Sequence, residues 1–289
     1  MDPLTKPFRS LLYIPGSKER ALEKATTLPA DGIIFDLEDA VAVDEKANAR
    51  EMVAKTLVER DYGSRALMVR VNGFDTDWVM DDLDVICATG PEAILLPKVN
   101  TGADVKRLAE FLDAQSNCTD TAIWAMMESP LGILNAQEIA ASSPRLKGMV
   151  LGTNDLAKDL MARHTTDRAP MMTSLGLCLL AARAYGLVCV DGVYNKFQDT
   201  EILRVMCEQG RDLGMDGKSL IHPSQIDTAN EVFAPSEADI SLAKRQMAAF
   251  EEAESKGLGI AVLDGNIVEN LHIVEARKLL AKAAAINAL

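Results

Sequence analysis

A chain of 289 residues, 48% hydrophobic and 25% charged, has the size and composition of a globular protein with one large α/β domain, or a barrel with a small appendage. Its net charge of −13 argues against non-specific binding to nucleic acid or to an anionic membrane. A few local Arg and Lys could still hold an anionic ligand against that distant field.

Residues 1–8 lack the apolar stretch of an export signal, and no run of about 18 apolar residues offers a membrane span. The five cysteines are odd in number and include no C-x-x-C pair, so a reducing, cytoplasmic location is expected. Aromatic residues make up only 4%, which leaves the core to Leu, Ile, Val, Ala and Met.

In chain order, strand-like apolar runs occupy 10–15, 32–38, 66–72, 93–99, 121–128, 147–152, 187–193 and 217–222. Most are continuous rather than alternating, the pattern of parallel strands covered on both faces. Helical patterns lie between them, at 17–28, 45–59, 102–114 and 199–213 among others. Eight such units predict a (β/α)₈ barrel (TIM barrel). The competing open, doubly wound sheet lacks its G-x-G-x-x-G after the first strand. Beyond residue 230 the alternation stops: 235–256 reads as helix, 257–269 is short and Gly-punctuated, and 271–285 is helical again. The expected division is a barrel over 1–230, carrying the site, and a small C-terminal lid or oligomerisation segment over 231–289.

Chemistry in such a barrel gathers where strands end and the following loops begin. Ser17, Lys18, Asp36, Glu38, Asp39, Arg70, Asn72, Lys98, Glu128, Asp155, Asp191 and His222 form a polar ring at those ends. Glu128 and Asp155 stand about one strand–helix unit apart. Adjacent parallel strands lie roughly 4.8 Å apart, so both carboxylates can reach one ion. Two hard oxygen donors, with other positions left to water and substrate, suit Mg²⁺ (with Mn²⁺ as a substitute) better than Zn²⁺. The three histidines form no H-E-x-x-H. The alternative is that both acids cap helices or face solvent, Asp155 being well placed to cap the helix after it. Arg70 can present a planar fork to a carboxylate or an oxyanion, or balance Asp36, Glu38 and Asp39 on the neighbouring strand end. For Lys98, charge balance is expected. His222 precedes Pro223 and is expected to be structural.

Several segments resemble one known family in the same order: Arg9-Ser-Leu-Leu-Tyr-Ile-Pro-Gly16, Ile34-Phe-Asp-Leu-Glu-Asp-Ala-Val41, Val69-Arg-Val-Asn72, Leu96-Pro-Lys98, Met127-Glu-Ser-Pro130 and Ile221-His-Pro-Ser-Gln-Ile226. They are similar to the citrate lyase beta subunit and malyl-CoA lyase family of the HpcH/HpaI aldolase superfamily. Gly152-Thr-Asn-Asp-Leu-Ala-Lys158, Val190-Asp-Gly-Val-Tyr194 and Val268-Glu-Asn-Leu-His272 most resemble its (3S)-malyl-CoA thioesterase branch.

The resemblance implies Mg²⁺ on Glu128 and Asp155, an oxyanion-binding Arg70, and a coenzyme A thioester substrate near Ser17 and Lys18, with Arg9 a further candidate for the phosphates. It also implies trimers or hexamers in which a C-terminal lid closes a neighbour's site. Relatives carry an acid–base Asp in a G-x-x-x-D-x-P lid pattern. Here Glu269 stands at that place without the Pro, and Asp264 is the nearest other acid. Arg70, Glu269 and Asp36 are thus the catalytic candidates. The activity implied is hydrolysis of (3S)-malyl-CoA to malate and free CoA. The alternatives are cleavage of a hydroxyacyl-CoA to glyoxylate (or another oxo acid) and acetyl-CoA, and a non-catalytic acyl-CoA-binding subunit.

Overall fold

The computed structural model describes residues 6–288. Eight parallel strands close into a barrel in sequential order: β1 (Ser10–Pro15), β2 (Gly32–Asp36), β3 (Ala66–Arg70), β4 (Ala93–Leu96), β5 (Ala122–Met127), β6 (Leu146–Leu151), β7 (Val188–Asp191) and β8 (Gly217–Leu220), with β8 paired back onto β1. Around and after them come α1 (Glu19–Ala25), α2 (Lys46–Glu59), α3 (Val79–Cys87), α4 (Gly102–Asp113), α5 (Pro130–Leu134), α6 (Ala136–Ala140), α7 (Thr153–Asp159), α8 (Met172–Ala184), α9 (Thr200–Leu213), α10 (Ile226–Phe233), α11 (Glu237–Ser255) and α12 (Asn270–Asn287). The (β/α)₈ barrel expected from the alternation is present.

Side-chain parity within each strand builds two separate apolar layers. Leu11, Ile34, Met68, Leu95, Trp124, Val150 and Val188 point inward and fill the barrel, with Phe8 against Trp124 at 5.1 Å between ring centroids. Their neighbours Leu12, Ile33, Phe35, Val69, Ile94, Ala125 and Met149 point outward to meet Leu22, Val53, Leu83, Val105 and Leu175 of the helices. Continuing the inward parity toward the strand ends puts Tyr13, Asp36, Arg70 and Glu128 at the mouth. The fold thus places four polar side chains on top of an apolar plug. All five cysteines are buried and unpaired.

The strands stop short of several expected ends. β2 ends at Asp36 because the Asp36 side chain takes the backbone N–H of Glu38 at 2.9 Å, turning the chain out of the sheet. β4 ends at Leu96 because Pro97 has no N–H and Lys98 sits in the left-handed region at φ 52°. The polar residues beyond these points therefore belong to loops.

The chain divides into two compact units, the barrel from Phe8 to Phe233 and a second that contains Ala234 onward. In the second, α11 and α12 flank a hairpin of β9 (Ala261–Leu263) and β10 (Asn266–Val268). Asp264 and Gly265, at φ 50° and 79°, make its two-residue turn. Phe250, Ala253, Ala261, Val268 and Ile273 form its small core. Among the described residues, no helix is long and apolar enough to cross a membrane.

Candidate active site

Arg70 is the centre of the mouth and is 7% exposed. Register pairs the last residue of β2 with the last of β3, Asp36 with Arg70, so the two side chains rise together. Asp36 accepts Arg70 Nε on Oδ1 at 2.7 Å and Nη2 on Oδ2 at 2.6 Å. The same carboxylate accepts the N–H of Glu38 and of Ala40 and is 1% exposed. Four donors thus converge on the Asp36 carboxylate. Its bidentate pair aims Arg70, while Asp36 itself lines the cavity of about 300 Å³. Burial opposes the Arg70 charge, but the Asp36 pair outweighs it and holds Arg70 protonated.

One Arg70 nitrogen, Nη1, is left over. It lies 2.8 Å from Glu38 Oε2 and 3.6 Å from Met126 Sδ. Glu38 Oε2 is buried and off the N–H direction, so its hydrogen-bonding capacity is unmet. Burial pushes the Glu38 carboxyl up to about 7, against the pull of Arg70. A scaffold beneath fixes this loop. Lys46 Nζ donates to Leu37 O, Glu38 O and Asn72 Oδ1 at 2.7–2.8 Å, and Asp82 holds Asn72 from below. Asn72 is therefore part of the support.

Glu128 follows β5 and is 3% exposed. Its Oε1 accepts the Lys98 N–H at 2.7 Å, a bond made by the left-handed turn at Lys98. Gly152 makes room for it: a Cβ there would meet Glu128 Oε2 at 2.5 Å and its Cβ as well. Burial, then the charge of Glu38, pushes Glu128 up to about 7, with Asp155 adding to the rise. Lys98 Nζ reaches Glu38 Oε1 at 3.7 Å, the charge-balancing role expected of it.

Asp155 is the third residue of α7, whose cap is Gly152, so it is not the cap. Its half-buried carboxylate has no hydrogen-bond or ion-pair partner among the described residues. It lines, together with Glu128, two adjoining cavities of about 480 and 300 Å³. Among the described residues no three His, Cys, Asp or Glu side chains gather into an all-protein metal cage. Two repelling hard carboxylates at a cavity wall, one with its charge suppressed by burial, fit a divalent cation completed by water and substrate.

The remaining candidates fall elsewhere. Arg9 precedes β1 and lies at the other end of the barrel, roughly 20 Å along the strand from Pro15 at 3.3 Å per residue. There its guanidinium is engaged by Asp31, Nη2 to Oδ1 at 2.7 Å and Nε to Oδ2 at 2.9 Å. Strand direction thus carries Arg9 away from the mouth and into a pair with Asp31. Ser17 is half-buried and Lys18 exposed at the start of α1, on the mouth side, but they line neither cavity. Asp191 is locked between Arg168 and Lys218, and His222 stacks on Phe197 at 4.3 Å, both structural roles. Glu269 belongs to the second unit, exposed at the start of α12, where its N–H donates to His272 Nδ1. Asp264 is a turn residue paired to Arg245 at 2.7 Å. Tyr13 and Gly152 were not singled out by sequence. Inward parity on β1 was the signal for Tyr13, while a contact 24 residues away in the chain, invisible in sequence, explains Gly152.

A family model described as HpcH/HpaI aldolase/citrate lyase matches residues 9–223, which cover the barrel and the whole mouth. The chain belongs to the HpcH/HpaI aldolase/citrate lyase family. It is 61% identical over 282 residues to the (3S)-malyl-CoA thioesterase of Cereibacter sphaeroides strain ATCC 17025, covering 98% of this chain and 96% of that one. The L-malyl-CoA/beta-methylmalyl-CoA lyase of C. sphaeroides strain ATCC 17029 is 34% identical over 312 residues, covering 99% and 98%. Among solved structures, CitE from Mycobacterium tuberculosis in complex with magnesium, acetoacetate and coenzyme A superposes with a TM-score of 0.80 at 28% identity, over 97% of this chain and 99% of that one.

Proposed function

We propose that this family member is a Mg²⁺-dependent thioesterase that hydrolyses (3S)-malyl-CoA to malate and free CoA. The observation that carries the reading is the 61% identity to a (3S)-malyl-CoA thioesterase along nearly the whole chain. The mouth geometry agrees with it. Glu128 and Asp155 would hold the ion, which when bound supplies Lewis-acid contacts that orient the hydroxyl and carboxylate of a malyl group. Mn²⁺ is proposed as a substitute.

The protein's own groups then have separate tasks. Asp36 holds the Arg70 plane, and Arg70, which lines the cavity, would receive negative charge on the thioester oxygen. Water adds to the carbonyl carbon and its electron pair moves onto oxygen. When the pair returns, the C–S bond breaks and CoA leaves as thiolate, taking up the proton released by water. Glu269 is proposed as the acid–base group of that proton transfer, Ser17 and Lys18 as contacts for CoA. A cytoplasmic trimer or hexamer, with residues 231–289 as lid, completes the proposal; sedimentation in solution checks the assembly.

The test is turnover of (3S)-malyl-CoA by the purified chain alone with Mg²⁺. Release of CoA thiol without glyoxylate supports hydrolysis. Stoichiometric glyoxylate makes it a lyase, as the 34% identical relative is named. No turnover without added subunits makes it a binding subunit.

A further inference from the structure

Tyr13 occupies the inward position of β1 one layer above Leu11, partly open to the cavity of about 300 Å³ that also holds Arg70, Glu128 and Asp155. Its ring lies against the Arg70 guanidinium, 4.8 Å from centroid to Cζ. Its hydroxyl reaches Met126 Sδ at 3.7 Å, and Arg70 Nη1 approaches the same sulfur at 3.6 Å. A thioether is a weak acceptor. The Tyr13 hydroxyl is therefore aimed at a poor partner, at a wall where a ligand oxygen can replace it, while Arg70 Nη1 beside it also faces Glu38 Oε2 at 2.8 Å and Asp39 at 3.5 Å. Other buried donors nearby are fully occupied: Lys46 has three oxygens, and Arg70 Nε and Nη2 have Asp36.

We propose that Tyr13 is a further catalytic residue: its hydroxyl and Arg70 Nη1 together bind the thioester oxygen as it becomes anionic. Burial first, with help from Asp36, Glu128 and Glu38 and against Arg70, pushes the Tyr13 hydroxyl well above its ordinary range, so it remains an O–H donor. In the step, a water oxygen bonds to the carbonyl carbon as water gives up one proton, and the C=O pair moves to the oxygen held by the two donors. The pair then returns and the C–S bond breaks, its electrons leaving with sulfur, which takes up the proton that water gave up. Tyr13 keeps its proton throughout. The inference rests on the thioester reading given above.

Tyr13→Phe separates this role from stacking, because it keeps the ring beneath Arg70 and removes only the hydroxyl. Steady-state kinetics of the full chain with Mg²⁺ and (3S)-malyl-CoA, and separately with acetyl-CoA, supply the readout, with thermal melting as the control for folding. The expected result is a fall in kcat of about 10²-fold with KM and melting temperature unchanged. Tyr13→Leu, which loses ring and hydroxyl, is expected to fall further. An unchanged kcat for Tyr13→Phe, or a loss confined to KM, overturns the proposal. If the wild type cleaves acetyl-CoA but not malyl-CoA, the malyl-CoA reading fails while the Tyr13 ratio is still measured on acetyl-CoA. No wild-type turnover of either removes both.

Discussion

Gly152 shows how a single absent side chain shapes the site, because its missing Cβ is the space that Glu128 occupies. Gly152→Ala should push the Glu128 carboxylate aside and weaken Mg²⁺ binding, read by calorimetric titration, by about tenfold or more with the fold intact. Unchanged affinity would separate Glu128 from the ion. Glu38 carries a pH signature. Its carboxyl rises from an ordinary 4.5 to about 7 on folding, so the folded chain keeps a proton that the unfolded chain releases. That contribution is fully present below about 4.5 and is lost as pH rises to about 7. Glu38→Gln removes it. Melting curves across that window should therefore shift in favour of the variant as pH rises; parallel pH profiles would contradict the assignment. Much of this was legible in the sequence. Arg70 and Glu128 end apolar strand runs and Asp155 follows one closely, where an ionisable residue needs a partner or a task. The partners of Arg9 and Asp36 were not legible, since they depend on which end of a strand each sits at and which side chain lies beside it.

At the scale of elements, continuous apolar runs located all eight strands, because parallel strands covered on both faces leave no other periodicity. Their ends were harder to read. Asp36 and Lys98 turn the chain through one side-chain hydrogen bond and one left-handed residue, neither of which alters hydrophobic pattern. The hairpin at 261–268 was signalled by Asp264-Gly265, a turn pair that the reading of 257–269 as merely Gly-punctuated passed over. Strand packing also makes a prediction away from the mouth. The Trp124 ring of β5 lies flat over Gly148 of β6, where a Cβ would collide with Cε3 and Cζ3. Gly148→Ala should destabilise the barrel by about 1–3 kcal/mol in denaturant unfolding, with Mg²⁺ affinity retained in the folded fraction. No loss of stability would show that the plug yields freely.

For the whole molecule, a net charge of −13 surrounds a mouth whose own centre is a balanced set of Arg70, Lys98, Asp36 and Glu38 with two further carboxylates, Glu128 and Asp155, at the wall. An anionic thioester entering such a site needs Mg²⁺ and Arg70 to outweigh the acids, which is why the metal and the oxyanion side chain are expected to act together. In the proposed reaction this arrangement directs water onto a thioester. Turnover of (3S)-malyl-CoA with Mg²⁺ in isotopically heavy-oxygen water, followed by mass spectrometry of the products, tests it most directly. The expected product is malate carrying one heavy oxygen in a carboxylate for each CoA thiol released. Glyoxylate and acetyl-CoA as products, with no labelled malate, would contradict it.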